Sequence, residues 1–180
     1  AIVTGGGAGM GLAVATAYAR EGAKVVIAEI KPADGESAVT AIRAAGGEAI
    51  FAKTDVANAA DVEAMVTQAV QHFGGVDVLY SNAAVQLVGQ DARAHEVSEE
   101  VWDRTYNVNI RGVWLCAKYA IPAMLQRGGG SIINVASPTG LVGCAPGYTA
   151  YSSSKGAVYG LTRVMAADYA RDGIRVNALV

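Results

Sequence analysis

A chain of 180 residues that is 52% apolar and 17% charged can bury one sizeable core, so length and composition point to a single domain. A net charge of −2 without any cluster of Lys and Arg argues against a nucleic-acid or anionic-membrane surface. Cys116 and Cys144 have no C-x-x-C spacing, His72 and His95 have no partner spacing, and no apolar run reaches about 18 residues; these exclude a metal site and a membrane helix and fit a reduced, cytoplasmic setting.

Short β-branched runs alternate with Ala-rich helical patterns along the whole chain. AIV opens it as a strand, and a helix follows over residues 10–22. KVVIAE (Lys24–Glu29) is the second strand, and the helix over 32–45 has Pro32 in its first turn, where the missing N–H costs nothing. AIFAK (49–53) leads to a helix capped by Asn58, with Asp61 at the third helical position. VDVLYSN (76–82) precedes a loop, after which Ser98 caps a long helix with Glu99 and Glu100 at the positive end of its dipole. SIINVAS (131–137), a second loop, a helix containing YSSSK, and IRVNALV complete the order.

Six strands separated by helices require right-handed βαβ crossovers and a parallel sheet covered on both faces. The strands are nearly continuous apolar runs, as strands buried on both sides should be. The expected fold is α/β: a Rossmann-like doubly wound sheet. Both ends of the sequence fall inside strand-like runs, so residues 1–180 are expected to be one domain, incomplete at both ends.

TGGGAGMG (4–11) joins the first strand to the first helix. Glycines there allow positive φ and let the backbone approach a pyrophosphate, which meets the free N–H groups of the helix start. Gly5, Gly9, Met10 and Gly11 are therefore candidate cofactor contacts, although a tight turn without a ligand has the same composition. Glu29 lies 18 residues beyond Gly11, close to the spacing of an acid that binds the adenosine ribose. A carboxylate there accepts from a ribose diol and repels a 2′-phosphate. Ile30 follows it rather than Arg, so NAD is favoured over NADP, with Lys31 as the nearest softening charge. Asp55 can accept from the adenine amino group while the Val56 N–H donates to the ring; a helix-entry acid is the alternative for Asp55.

In order along the chain these residues resemble the short-chain dehydrogenase/reductase family. Its T-G-x-x-x-G-x-G turn is matched by Thr4, Gly5, Gly9 and Gly11, and its Asp-Val pair by Asp55 and Val56. Its N-N-A-G stretch is matched imperfectly by Ser81, Asn82, Ala83 and Ala84. The helix asparagine, the serine after the fifth strand and the Y-x-x-x-K pair are matched by Asn109, Ser137, Tyr151 and Lys155. The resemblance implies a seventh strand and a substrate loop beyond the six strands present. It implies that Asn82 and Ala83 contact the cofactor, with Ser81 keeping one side-chain hydrogen bond of the usual asparagine. It further implies that Ser137 holds the substrate oxygen, that Asn109 anchors a water relaying protons to Lys155, and that Lys155 also binds the nicotinamide ribose.

A tyrosine and a lysine four apart share one helical face. Oxidising an alcohol removes a hydride, which a nicotinamide accepts, and a proton, which needs a base. A phenol is a poor base near neutrality, but an ammonium ~5 Å away stabilises its phenolate by roughly 3 kcal/mol at an effective dielectric near 20. Tyr151 and Lys155 are accordingly the candidate base and its activator, with a plain amphipathic pair as the alternative. The substrate is an alcohol or ketone, in contact with Ser137 and Tyr151, behind a wall of Gln86, Pro138, Leu141, Val142, Cys144 and Tyr148. A non-catalytic nucleotide-binding relative and a Rossmann methyltransferase are the competing readings. Apolar residues on more than one face of helices 108–125 and 156–170 predict a homodimer or homotetramer.

Overall fold

The computed structural model describes residues 1–143 and 145–180. Six strands form one parallel sheet: β1 (Ile2–Thr4), β2 (Lys24–Glu29), β3 (Glu48–Lys53), β4 (Val78–Ser81), β5 (Gly130–Val135) and β6 (Ile174–Leu179). The helices between them are α1 (Gly9–Arg20), α2 (Pro32–Ala44), α3 (Ala59–Phe73), α4 (Glu99–Tyr106), α5 (Gly112–Arg127) and α6 (Thr149–Asp168). The spatial order β3-β2-β1-β4-β5-β6 is the doubly wound Rossmann order, and the winding reverses between β1 and β4.

Alternation within the strands divides the core into two layers. Val3, Val25, Ile27 and Tyr80 face one side with Ala15, Ala19, Val39 and Ile42 of α1 and α2. Ile2, Val26, Leu79 and Ile132 face the other, against Met65 of α3, Leu115 and Met124 of α5 and Met165 of α6. Neighbouring residues of one strand thus serve opposite layers, which is why these strands carry no polar face.

The caps follow the sequence with one change of partner. Asn58 Oδ1 accepts from the backbone of Ala60 (2.9 Å) and Asp61 (3.4 Å), and Ser98 Oγ accepts from Val101 (3.3 Å). Asp61 does not reach back to Asn58; its carboxylate accepts from the backbone N–H of Asp55 (3.0 Å), which fixes the loop after β3. The long helix after Ser98 is not uniform either. It runs as α4, a π-turn over Asn107–Arg111, and α5. Among the described residues no helix is long and apolar enough to cross a membrane.

Candidate active site

In an open parallel sheet the crevice outside the strand C-termini at the reversal point is the place where ligands bind. Here that crevice lies over Thr4 and Ser81. Thr4 Oγ1 accepts from the backbone of Asn82 (3.0 Å) and Ala83 (3.1 Å), and Asn82 Nδ2 donates to the carbonyls of Thr4 (3.1 Å) and Gly5 (3.2 Å). The ends of β1 and β4 are thereby stapled into one floor. Gly5 and Gly9 hold left-handed φ angles of 61° and 53°, which other residues adopt only with strain. A Cβ on Gly11 would collide with the Gly5 carbonyl and stand 2.7 Å from Asn82 Nδ2.

At the outer end Glu29 closes over the turn. Its Oε2 accepts from Gly7 N (3.2 Å), and its Oε1 accepts from the N–H groups of Ile30 (3.0 Å) and Lys31 (3.2 Å). Asp55 Oδ1 accepts from Ala57 N (2.9 Å). A cavity of about 950 Å³ runs along this edge. Gly5, Met10, Glu29, Ile30, Asp55, Val56, Asn82, Ala83 and Val85 are among its lining residues. The glycine cradle, the volume of the cavity and the carboxylate in its lining fit a dinucleotide.

The four remaining candidates do not line this cavity; Asn109 is joined to its wall at Val85. Lys155 is 3% exposed, and its ammonium donates to the Val135 carbonyl at 2.7 Å. Burial lowers its amine from the usual lysine range to about 8. The nitrogen lies 5.8 Å from the centroid of the Tyr151 ring. Ser137 follows β5; its Oγ is 3.0 Å from Thr139 Oγ1 and accepts from Thr139 N (3.3 Å), while its carbonyl accepts from the Tyr159 hydroxyl (3.0 Å). Asn109 is buried in the π-turn, an element often found at functional sites. Its Oδ1 accepts from Val85 N (2.8 Å), and its Nδ2 donates to Val85 O (2.9 Å) and Ser154 Oγ (3.1 Å). Ser154 Oγ in turn donates to Tyr151 O at 2.7 Å. The Asn109 side chain therefore joins the loop after β4 to α6; among the described residues none of its hydrogen bonds goes to Lys155.

One expectation changes. Ser81 Oγ is buried without a hydrogen-bond partner, so it does not keep the bond expected of it. Of the expected substrate-side wall, Gln86, Pro138, Leu141 and Val142 are exposed, Tyr148 borders a cleft of about 320 Å³ with Arg93, Ala94, Pro146 and Thr149, and Cys144 lies outside the described residues. Arg93 is held by Glu96 through two 3.0 Å hydrogen bonds. Sequence reasoning missed Thr139 and Tyr159, which steady Ser137, and Asp91, which accepts from the Tyr151 backbone at 2.9 Å. Each acts through a fold contact that no local pattern announces.

Comparison with known proteins agrees with this geometry. The family model described as short chain dehydrogenase matches residues 1–180. The chain is 46% identical over 180 residues to a 2,5-dichloro-2,5-cyclohexadiene-1,4-diol dehydrogenase of Sphingobium indicum, covering 99% of this chain and 70% of that one. It is 42% identical over 177 residues to 2-(S)-hydroxypropyl-CoM dehydrogenase 3 of Xanthobacter autotrophicus, covering 98% and 68%. A crystal structure of a 3-ketoacyl-ACP reductase from Sinorhizobium meliloti superposes with a TM-score of 0.93 at 33% identity, covering 98% of this chain and 69% of that one.

Proposed function

The chain belongs to the short-chain dehydrogenase family, and on that premise we propose that it is an NAD-dependent oxidoreductase of small alcohols or ketones, with Tyr151 as general base and acid. One observation carries the reading. The cavity beside the glycine turn is lined by Glu29, while the helix presenting Tyr151 and Lys155 is tied to the cavity wall at Val85 through Ser154 and Asn109. A bound nicotinamide supplies the hydride acceptor or donor. Gly5, Gly9, Met10 and Gly11 admit the phosphates, Asp55 and Val56 receive the adenine, and Asn82 and Ala83 border the cofactor.

Ser137 Oγ, oriented by Thr139, donates to the substrate oxygen. Tyr151 takes the hydroxyl proton as the alcohol is oxidised and returns it in the reverse direction. Lys155, whose amine titrates near 8, is mainly an ammonium at neutral pH and stabilises the phenolate. An ammonium has three donors; one is used on Val135, which leaves two for the cofactor ribose and a relay water. Asn109 steadies the frame around that path through Val85 and Ser154.

Glu29 supports NAD over NADP, because a carboxylate held by three backbone N–H groups cannot swing away from a 2′-phosphate without losing them. The two dehydrogenases compared above are named for secondary alcohols, which supports a secondary alcohol here. A non-catalytic nucleotide-binding relative would have no use for Asn109, Ser137, Tyr151 and Lys155 together.

The test is Tyr151→Phe, with NAD and NADP titrated side by side. Turnover of a secondary alcohol, followed by nicotinamide absorbance, should fall by about 10²–10⁴ while NAD binding is retained. NAD should bind at least about tenfold tighter than NADP. Near-parental turnover of the variant would place the base elsewhere.

A further inference from the structure

The helix that carries Tyr151 and Lys155 has no cap of its own. Tyr148, the residue before α6, makes no side-chain bond to it, and the first turn holds no acid. A helix start leaves its first N–H groups without intrahelical acceptors. In α6 these acceptors come from residues far back in the chain. Asp91 Oδ1 accepts from Ala150 N (3.1 Å), Asp91 Oδ2 accepts from Tyr151 N (2.9 Å), and the Ala92 carbonyl accepts from Thr149 N (3.4 Å). Asp91 Oδ1 also accepts from Ala92 N (2.9 Å), which ties the carboxylate to its own backbone.

The same segment is anchored at its other end in the wall of the cavity, which Asn82, Ala83 and Val85 line. Thr4 Oγ1 holds the backbone of Asn82 and Ala83, and Asn109 holds both backbone groups of Val85. Residues 82–92 therefore strap the floor of the crevice to the first turn of α6. We propose that Asp91 is a positioning residue for Tyr151: it fixes where α6 begins and thereby where the phenol stands relative to the cavity. The proposal rests on the reading of Tyr151 as the proton-transferring group. A displacement of a reacting group by about 1 Å can cost on the order of 10² in rate.

The experiment compares Asp91→Ala, Asp91→Asn and Tyr151→Phe in the full-length protein, with turnover counted per NAD-binding site. Asp91→Ala should lower kcat by about 10–100-fold and leave the Kd for NAD within about twofold. With a carbon-deuterated alcohol its kinetic isotope effect should rise, because the hydride step becomes limiting. Backbone amide exchange at residues 149–151 should quicken while the rest of α6 stays protected. Asp91→Asn keeps one acceptor oxygen and should recover most of the lost kcat. Parental kcat and isotope effect in Asp91→Ala overturn the proposal, as does a loss that only tracks the loss of NAD-binding sites. If Asp91→Ala does not fold, Asp91→Asn decides: with one acceptor oxygen lost, amide exchange should quicken at residue 150 or 151, and parental exchange at both overturns it. Tyr151→Phe separates the two readings. Its retained activity would sink the assignment of the base, while the exchange data still decide whether Asp91 holds the amide of residue 151.

Discussion

Lys155 is buried as a charge, and that has a cost visible in stability. Its folded-state amine titrates near 8, depressed by desolvation, while an unfolded lysine titrates near ~10.4. Between these values the unfolded chain binds more protons than the folded one, so this group makes stability rise with pH across that window. Below about 8 the burial penalty is fully present, at most about 3 kcal/mol. Lys155→Met removes it but strands the Val135 carbonyl, a loss of about 1 kcal/mol. The variant should therefore be inactive yet more stable than the parent by about 1–2 kcal/mol at pH 7, and the gain should vanish towards pH 10. Chemical denaturation of both proteins at the two pH values reads this difference directly, since other titrations cancel. A gap that does not change with pH would mean that the amine is not held in a lowered state. The residue placed on the reaction path is then also the one that weakens the fold, a common trade between activity and stability.

At the scale of elements, the serine and tyrosine ends of the site are held together by a contact between a short turn and a helix. The 3₁₀ turn Pro138–Gly140 sits directly on α6, and a Cβ on Gly140 would stand 2.5 Å from Gly156 N and 2.6 Å from the carbonyl carbon of Lys155. Backbone on both sides leaves nothing flexible to yield. Gly140→Ala should push the turn, and Ser137 with it, away from Tyr151. The expected outcome is a drop in kcat of about 10-fold or more with a stability loss of about 1–3 kcal/mol and unchanged NAD binding. Steady-state kinetics beside NAD titration checks it; parental kcat would mean that Ser137 is not positioned by this contact. The order of elements was legible in the sequence because buried parallel strands and amphipathic helices write different periods. So was the glycine turn, since Gly5 and Gly9 need their left-handed backbone. The π-turn around Asn109 was not legible, because residues 99–127 read as continuous helix and a single wide turn has no residue signature of its own. Asp91 was not either, because its partner at Tyr151 lies 60 residues on and the pairing exists only once the loop after β4 meets the start of α6. Ser81 misled for a different reason: the resemblance implied that it keeps one bond of the usual asparagine, and its shorter side chain finds no partner in the fold.

For the whole molecule, the doubly wound order places α5 and α6 on the same side of the sheet, over the half that carries β4, β5 and β6. The sheet takes up one face of each helix. Outward, α5 leaves Trp114 44% and Leu125 43% exposed, with the Lys118 ammonium 5.3 Å from the Trp114 ring centroid. α6 leaves Val164 52% exposed, and Gly160, one turn earlier on the same face, has open space around it that would let another helix approach closely. Positions 114, 118 and 125 share one helical stripe, as do 160 and 164. Large apolar side chains aligned in this way are more than scattered surface residues and suit a symmetric contact between copies of the chain, which needs about 800 Å² on each partner. We therefore expect the full-length protein to be a dimer or tetramer through this face. Trp114→Glu and Val164→Glu, together, place unpaired charges in the centre of such a contact and should yield protomers by light scattering at micromolar concentration. NAD binding should survive, because neither residue lines the cavity. A parent protein that is already monomeric, or a double variant that keeps the parental mass, would show that α5 and α6 do not form the interface.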